Sequence, residues 1–193
     1  MIPQKANYSI LAQCDIYAVS DFVEKLDRPA ATPVRPISER QFKKRIKEDV
    51  TWNKTYNALV TSYKSLSPNY KIVYDTYGGY RLVYCGNETI SSGTTLKGPV
   101  GFIRPFPDGA VTDLSVMTSS KTGEQLLLLG PIRFVNSDCD RNCDYDFSSS
   151  EGVIQLVAKK PIQPGDELFV KYDDDFFQFN ECRCSTCRIV HYN

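Results

Sequence analysis

The chain of 193 residues has a single histidine, His191, and no run of apolar residues long enough to span a membrane. It also lacks net charge, with 23 Lys+Arg against 23 Asp+Glu. A dedicated nucleic-acid binder carries a basic excess, so no direct sequence-specific contact with nucleic acid is expected. The first residues, MIPQKANYS, have no apolar core of a secretory signal. Seven cysteines are an odd number, and without such a signal they do not read as a disulfide framework. The expected compartment is therefore reducing, either nucleus or cytosol. There is no internal repeat and no low-complexity tract. What is present suffices for a core: 41 % of residues are hydrophobic, in a length that suits one domain or one domain with a small helical extension.

Residues 8–67 read as helical. Leu11, Cys14, Ala18, Phe22 and Leu26 recur at spacings of three and four and mark one helical face. Three prolines between Arg28 and Pro36 demand a connector. Ser38 with Gln41 three residues on fits a capping box, continued by Phe42 and Ile46. A break is expected near Thr51, then a second periodic stretch through Tyr56, Leu59, Val60 and Tyr63. From residue 70 the texture changes to short strands: Tyr70–Tyr74, Tyr80–Cys85, Val100–Arg104, Asp113–Met117, Gln125–Leu129, Val153–Ala158 and Glu167–Tyr172. Gly78-Gly79, Asp108-Gly109 and Pro164-Gly165-Asp166 supply turns. Helices followed by short strands predict an α+β or mainly-β fold with an N-terminal helical lobe.

Cys182, Cys184 and Cys187 place three thiols within six residues. Three ligands from one loop suit a metal, and a structural zinc takes four. Cys139 or Cys143 is the natural fourth, and His191, at the C-terminal end, is a weaker one.

Three segments, in order, resemble the SET-domain lysine methyltransferases. Gly130-Pro-Ile-Arg-Phe-Val-Asn-Ser-Asp-Cys139, continuing to Cys143, is similar to that family's Arg-Phe-[Ile/Val]-Asn-His-x-Cys-x-Pro-Asn-Cys signature. Pro164-Gly-Asp-Glu-Leu-Phe-Val-Lys-Tyr172 resembles its Gly-[Glu/Asp]-Glu-Leu-x-x-x-Tyr segment, and Cys182–Cys187 its zinc-binding post-SET segment. The suppressor-of-variegation 4-20 branch, which methylates histone H4, is the most similar. Asp113–Met117, Leu129-Gly130-Pro131, Asp174–Phe177 and the short Cys-x-Cys-x-x-Cys spacing carry that likeness. Two positions depart from the family pattern: Ser137 stands where the family usually has His, and Arg141 where it has Pro.

The resemblance implies an N-terminal helical lobe over 1–68, a SET domain over 69–178 and a zinc segment over 179–193. It implies a methyl transfer from S-adenosylmethionine to lysine, with Tyr172 as the catalytic residue. The other reading of Tyr172 is a strand tyrosine packed in the core. Gly78, Gly79, Tyr80, Phe134, Asn136, Ser137 and Phe177 are the implied cofactor contacts, although Gly78-Gly79 reads equally as a hairpin turn. Ser115, Met117 and Val170 are the implied substrate contacts. Cys139, Cys182, Cys184 and Cys187 are the implied ligands of one structural zinc, with Cys143 left to the core. Val170 occupies the position where a Tyr or Phe tunes how many methyl groups such enzymes add. Having neither ring nor hydroxyl, it implies dimethylation or higher.

Asp138, Asp140, Asp144, Asp146 and the run Asp173-Asp174-Asp175 concentrate negative charge beside the signature and the tyrosine. Such a field would attract a basic tail. A basic histone tail or a nucleosome is the partner expected, and the resemblance to the 4-20 branch implies that H4 is favoured. Two alternatives stand beside it: a methyltransferase of a non-histone lysine, and a SET-like zinc module that binds basic peptides with little catalysis.

Overall fold

The computed structural model describes residues 1–3, 6–19, 37–66, 68–75, 79–106, 115–119, 122–150, 152–172, 182 and 184–187. Helix α1 spans Tyr8–Val19, α2 Glu39–Glu48 and α3 Val50–Lys64. The capping box is present. The Gln41 N–H donates to Ser38 Oγ at 3.3 Å, and the Ser38 N–H donates to Gln41 Oε1 at 3.0 Å. The break falls at Asp49, which ends α2 and caps α3 by accepting from the N–H groups of Thr51 and Trp52. Phe42 joins the three helices: it stacks on Tyr17 at 4.0 Å and meets Trp52 and Tyr56 edge-on.

Helix α1 departs from the one-faced helix its spacing predicts. Residues 11–16, 18 and 19 are all buried, Gln13 and Asp15 among them. A helix covered all round is a core element rather than a surface one. Phe22 and Leu26 lie outside the described residues.

Among the described residues nine strands follow: β1 Tyr70–Asp75, β2 Gly79–Tyr84, β3 Thr95–Pro105, β4 Val116–Thr118, β5 Gln125–Leu129, β6 Asn136–Ser137, β7 Cys143–Ser150, β8 Val153–Ala158 and β9 Phe169–Val170. Strands β1 and β2 form an antiparallel hairpin. An antiparallel sheet runs in the order β4-β5-β3-β8-β7, and β6 pairs with β9 in parallel. The predicted strands Gln125–Leu129 and Val153–Ala158 appear with those bounds, those at Tyr70 and Tyr80 shift by one residue, and the others change more. Strand β3 begins five residues earlier than Val100, with a register shift between Thr95 and Val100. Strand β7 was not anticipated. The segment expected as Glu167–Tyr172 is a strand only at Phe169–Val170. Of Asp113–Met117, the strand takes up Val116 and Met117 and extends to Thr118, while residues 113 and 114 lie outside the description.

Backbone hydrogen bonds join the small sheets. The Leu168 N–H donates to Leu82 O, Tyr84 N–H to Asp166 O, and Gly165 N–H to Tyr84 O. The hairpin β1-β2 is therefore bound to the segment that leads into β9. Among the described residues, no helix is long and apolar enough to cross a membrane.

Candidate active site and metal centre

The segment from Gly130 to Cys139 carries the site, beginning at a turn that requires glycine. Gly130 has φ 80°, and a Cβ there would stand 3.2 Å from both Ser62 Oγ of α3 and the Val100 carbonyl of β3. A short 3-10 turn, Pro131–Phe134, follows. Its anchor is Asp15, wholly buried in α1. Asp15 Oδ1 accepts from the Gly130 N–H at 3.0 Å and from the Tyr63 hydroxyl at 3.1 Å. Asp15 Oδ2 lies 3.0 Å from Arg133 Nε, an ion pair held by charge rather than by hydrogen-bond alignment. The Arg133 guanidinium also covers the Phe134 ring at 4.5 Å. Burial pushes the Tyr63 hydroxyl well above its ordinary range, so it stays a neutral donor.

Beyond the turn, the chain runs beside the C-terminal segment residue by residue. Asn136 pairs with Phe169 and Ser137 with Val170, and the Asp138 N–H continues to Val170 O at 3.0 Å. Tyr172 is held twice. Its N–H donates to Ser137 Oγ at 3.1 Å and its hydroxyl donates to Val135 O at 2.9 Å. Ser137, at the histidine position of the signature, thus binds the tyrosine's backbone. Burial raises the Tyr172 hydroxyl to about 12.

Asn136 Nδ2 donates to the Tyr80 carbonyl at 3.1 Å and to Glu167 Oε1 at 2.9 Å. Both amide protons are committed, which leaves Oδ1 unpartnered among the described residues. The Tyr80 ring meets Phe134 edge-on at 5.6 Å and Tyr74 at 4.9 Å. Gly79 has φ 75°, and a Cβ there would meet nothing within 4 Å. Gly79, Tyr80, Phe134, Asn136 and Ser137 are therefore brought to one region; Gly78 and Phe177 lie outside the described residues. Of the expected substrate contacts, Ser115 donates from Oγ to Arg133 O at 3.0 Å, beside the signature. Met117 is half-buried in β4, and Val170 is buried in the core cluster.

Cys139, Cys182, Cys184 and Cys187 gather with all four sulfurs within 4.8 Å of one another. Cys139 Sγ lies 3.7 Å from Cys182 Sγ and 3.4 Å from Cys187 Sγ. A tetrahedral zinc with bonds of about 2.3 Å sets sulfurs about 3.8 Å apart, so the donor set and spacing fit that ion. Burial works to raise the Cys184 thiol. Hydrogen bonds from the N–H groups of Cys139 and Cys187, then from the thiols of Cys182 and Cys187, bring it down to about 7. Cys143 is fully buried, with burial raising its thiol to about 12, and stands apart from the cluster.

Of the acidic residues expected to form a field, Asp138, Asp140, Asp144 and Asp146 are described, and two of them have a local counter-charge. Asp138 is buried and accepts from Ser185 and Thr186. Asp140 pairs with Lys160, and Asp144 pairs with Arg141. Asp146 accepts from the Ser148 N–H in a local turn. Residues 173–175 lie outside the described set. Four supporting residues escaped the reading of the sequence. Glu167 fixes Asn136; Asn142 holds the Glu167 carbonyl and the Phe169 N–H, each at 2.8 Å; Asp15 and Asp138 grip the two ends of the signature. Glu167, Asp138 and Asn142, inside the matched segments, carried a local signal; Asp15 did not.

A family model described as the SET domain matches residues 8–173. The chain belongs to the SET-domain family. Curated relatives named histone-lysine N-methyltransferase SET9 are similar to it. That of Phaeosphaeria nodorum is 47 % identical over 77 residues, covering 39 % of this chain and 12 % of the relative. That of Gibberella zeae is 32 % identical over 135 residues, covering 69 % and 18 %. That of Schizosaccharomyces pombe is 34 % identical over 103 residues, covering 50 % and 23 %. This SET domain thus spans less than a quarter of the length of these relatives.

Proposed function

We propose that the chain is a protein-lysine N-methyltransferase that uses S-adenosylmethionine, acts on a histone tail with H4 favoured, and works in the nucleus. The observation that carries the reading is the double hold on Tyr172, by Val135 O and Ser137 Oγ, inside the SET signature. The relatives' names support a histone substrate.

When bound, S-adenosylmethionine supplies an electrophilic methyl carbon on a sulfonium. The residues fit such a group: Gly79 leaves room, the half-buried Tyr80, backed by Phe134, offers ring surface, and Asn136 presents a fixed amide with a spare acceptor. Phe177 and Gly78 complete the proposed cofactor set. Ser115, Met117 and Val170 are the proposed substrate contacts.

The chemistry demanded of the chain is alignment of an amine with that carbon. Tyr172 cannot serve as a general base near neutral pH, because its phenol is neutral and its one proton is given to Val135 O. It presents oxygen lone pairs at a fixed place and orients what approaches. The substrate amine must lose its proton to solvent, aided by a dry channel. Cys139, Cys182, Cys184 and Cys187 would hold one zinc. An all-thiolate site is closed and hence structural.

The test is labelled methyl transfer to core histones, nucleosomes and unmodified or monomethylated H4 peptides, read by mass spectrometry. Dimethyl-lysine or higher is the expected product, because Val170 offers no hydroxyl to restrict the amine. No transfer to any histone overturns the reading. A product stalled at monomethyl-lysine, with no turnover of the monomethylated peptide, overturns the Val170 assignment alone.

A further inference from the structure

Asp138 is a buried carboxylate with donors from two distant parts of the chain. Oδ1 accepts from the Asp140 N–H at 2.8 Å and from Thr186 Oγ1 at 2.6 Å, and Oδ2 accepts from Ser185 Oγ at 2.7 Å. The first bond closes a turn over Cys139. The other two pin the helical turn Ser185–Cys187, whose last residue donates its N–H to Cys184 Sγ at 3.3 Å. One side chain therefore sets the backbone of Cys139 and the loop of the three thiols some 45 residues later. Its own N–H is fixed on Val170 O, so the clasp stands on the strand that leads to Tyr172.

We propose that Asp138 is the positioning residue of the metal site: it assembles the four thiols before the ion arrives and holds them on the catalytic strand afterwards. This rests on the reading that these cysteines bind zinc. Two effects compete. Four thiolates around Zn²⁺ carry net negative charge, which a further anion nearby disfavours. Against that, the ligands need not be ordered at the moment of binding, and groups that orient ligands typically contribute 10–100-fold in affinity. Three donors within 2.8 Å fix both carboxylate oxygens; these neutral donors leave the charge in place, so the favourable contribution to this site is one of position.

Zinc affinity is measured on the full chain by competition with a chromophoric chelator, for wild type, Asp138→Ala, Asp138→Asn, Ser185→Ala/Thr186→Val and the Asp138→Ala combination with those two. Asp138→Ala and the hydroxyl double variant are each expected to weaken zinc by roughly 10–100-fold, and together by little more than either, because they cut the same bonds. Asp138→Asn is expected to be weaker than wild type. An Asp138→Ala affinity within about twofold of wild type, full multiplication of the two effects, or tighter binding by Asp138→Asn overturns the clasp while leaving the zinc reading intact. A wild-type chain that holds no zinc overturns both. Should Asp138→Ala not fold, the hydroxyl variants, which touch only the zinc turn, decide the question.

Discussion

The signature segment is gripped at each end by an aspartate, and the two grips differ in kind. At Gly130 the grip is Asp15, wholly buried, with an arginine, a tyrosine hydroxyl and a backbone N–H around it. Every partner belongs to the packed interior, so this end is formed by folding alone. At Cys139 the grip is Asp138, whose partners Ser185 and Thr186 sit on a short turn beside exposed or half-buried thiols. That turn buries little apolar surface, and its order rests on polar bonds and, on the proposed reading, on an ion. Tyr172 donates hydrogen bonds to Val135 O and Ser137 Oγ, between the grips. The helical lobe is thus as much a part of the site's scaffold as the zinc turn, although it contributes none of the expected contacts.

The comparison breaks most visibly at Asp15. Asp15→Ala leaves Arg133 as a buried charge without its counter-ion, which typically costs 3–5 kcal/mol, about a third or more of a domain's stability. Urea denaturation of the wild type and variant measures it. Asp15→Asn keeps the acceptor for Gly130 and Tyr63 and is expected to cost less. A cost below about 1 kcal/mol for Asp15→Ala would show that the lobe merely covers the site.

Between the grips, Tyr172→Phe separates chemistry from packing. The ring stays, and the lost bond to Val135 O costs about 1 kcal/mol of stability. Removing one preorganised polar group from a reaction site typically lowers kcat by about 10²–10³-fold. Turnover at saturating cofactor should fall on that scale while cofactor affinity, read by calorimetry, stays near wild type. Wild-type turnover in the variant would remove Tyr172 from the mechanism.

How much of this was legible beforehand follows the range of the interactions. The capping box is written in four adjacent residues, and Gln125–Leu129 and Val153–Ala158 are continuous enough to read directly. Strand β7, Cys-Asp-Tyr-Asp-Phe-Ser-Ser-Ser, has no β-branched residue; pairing with β8 makes it a strand. Asp15 has no local signal of its role, because its partners Gly130 and Arg133 lie more than a hundred residues away. The four-thiol set was legible as a motif resemblance, and its spacing now agrees with it. The acidic cluster was read from composition, which counts charges and not local partners: Lys160 and Arg141 pair two of its members, Asp140 and Asp144.

The smallest expected effect sharpens the contrast between interior and turn through the cysteines themselves. Burial raises the Cys14 thiol to about 12, with the charge of Asp15 adding to it; burial does the same for Cys143, with Asp144 adding. Both are fully buried. At pH 8 neither is thiolate nor accessible, so a maleimide should leave both unlabelled until denaturant is added. Cys184, lowered to about 7, is the opposite case. Its cluster should be protected by zinc and labelled at Cys139, Cys182, Cys184 and Cys187 after chelation, with the interior thiols still silent. The same shifts fix a pH dependence. The folded pKa of each buried thiol lies above its unfolded value of 9.0, so its contribution to stability is whole below pH 9 and is lost as pH rises from 9 towards 12. One unit above the unfolded value the loss is about 1.4 kcal/mol per thiol. Urea midpoints at pH 8 and pH 10 should differ accordingly in the wild type, and by less in Cys14→Ala, which has one such group fewer. Labelling of Cys14 or Cys143 by chelation alone would show that the zinc turn and the core open together, and the two grips would then be one cooperative unit.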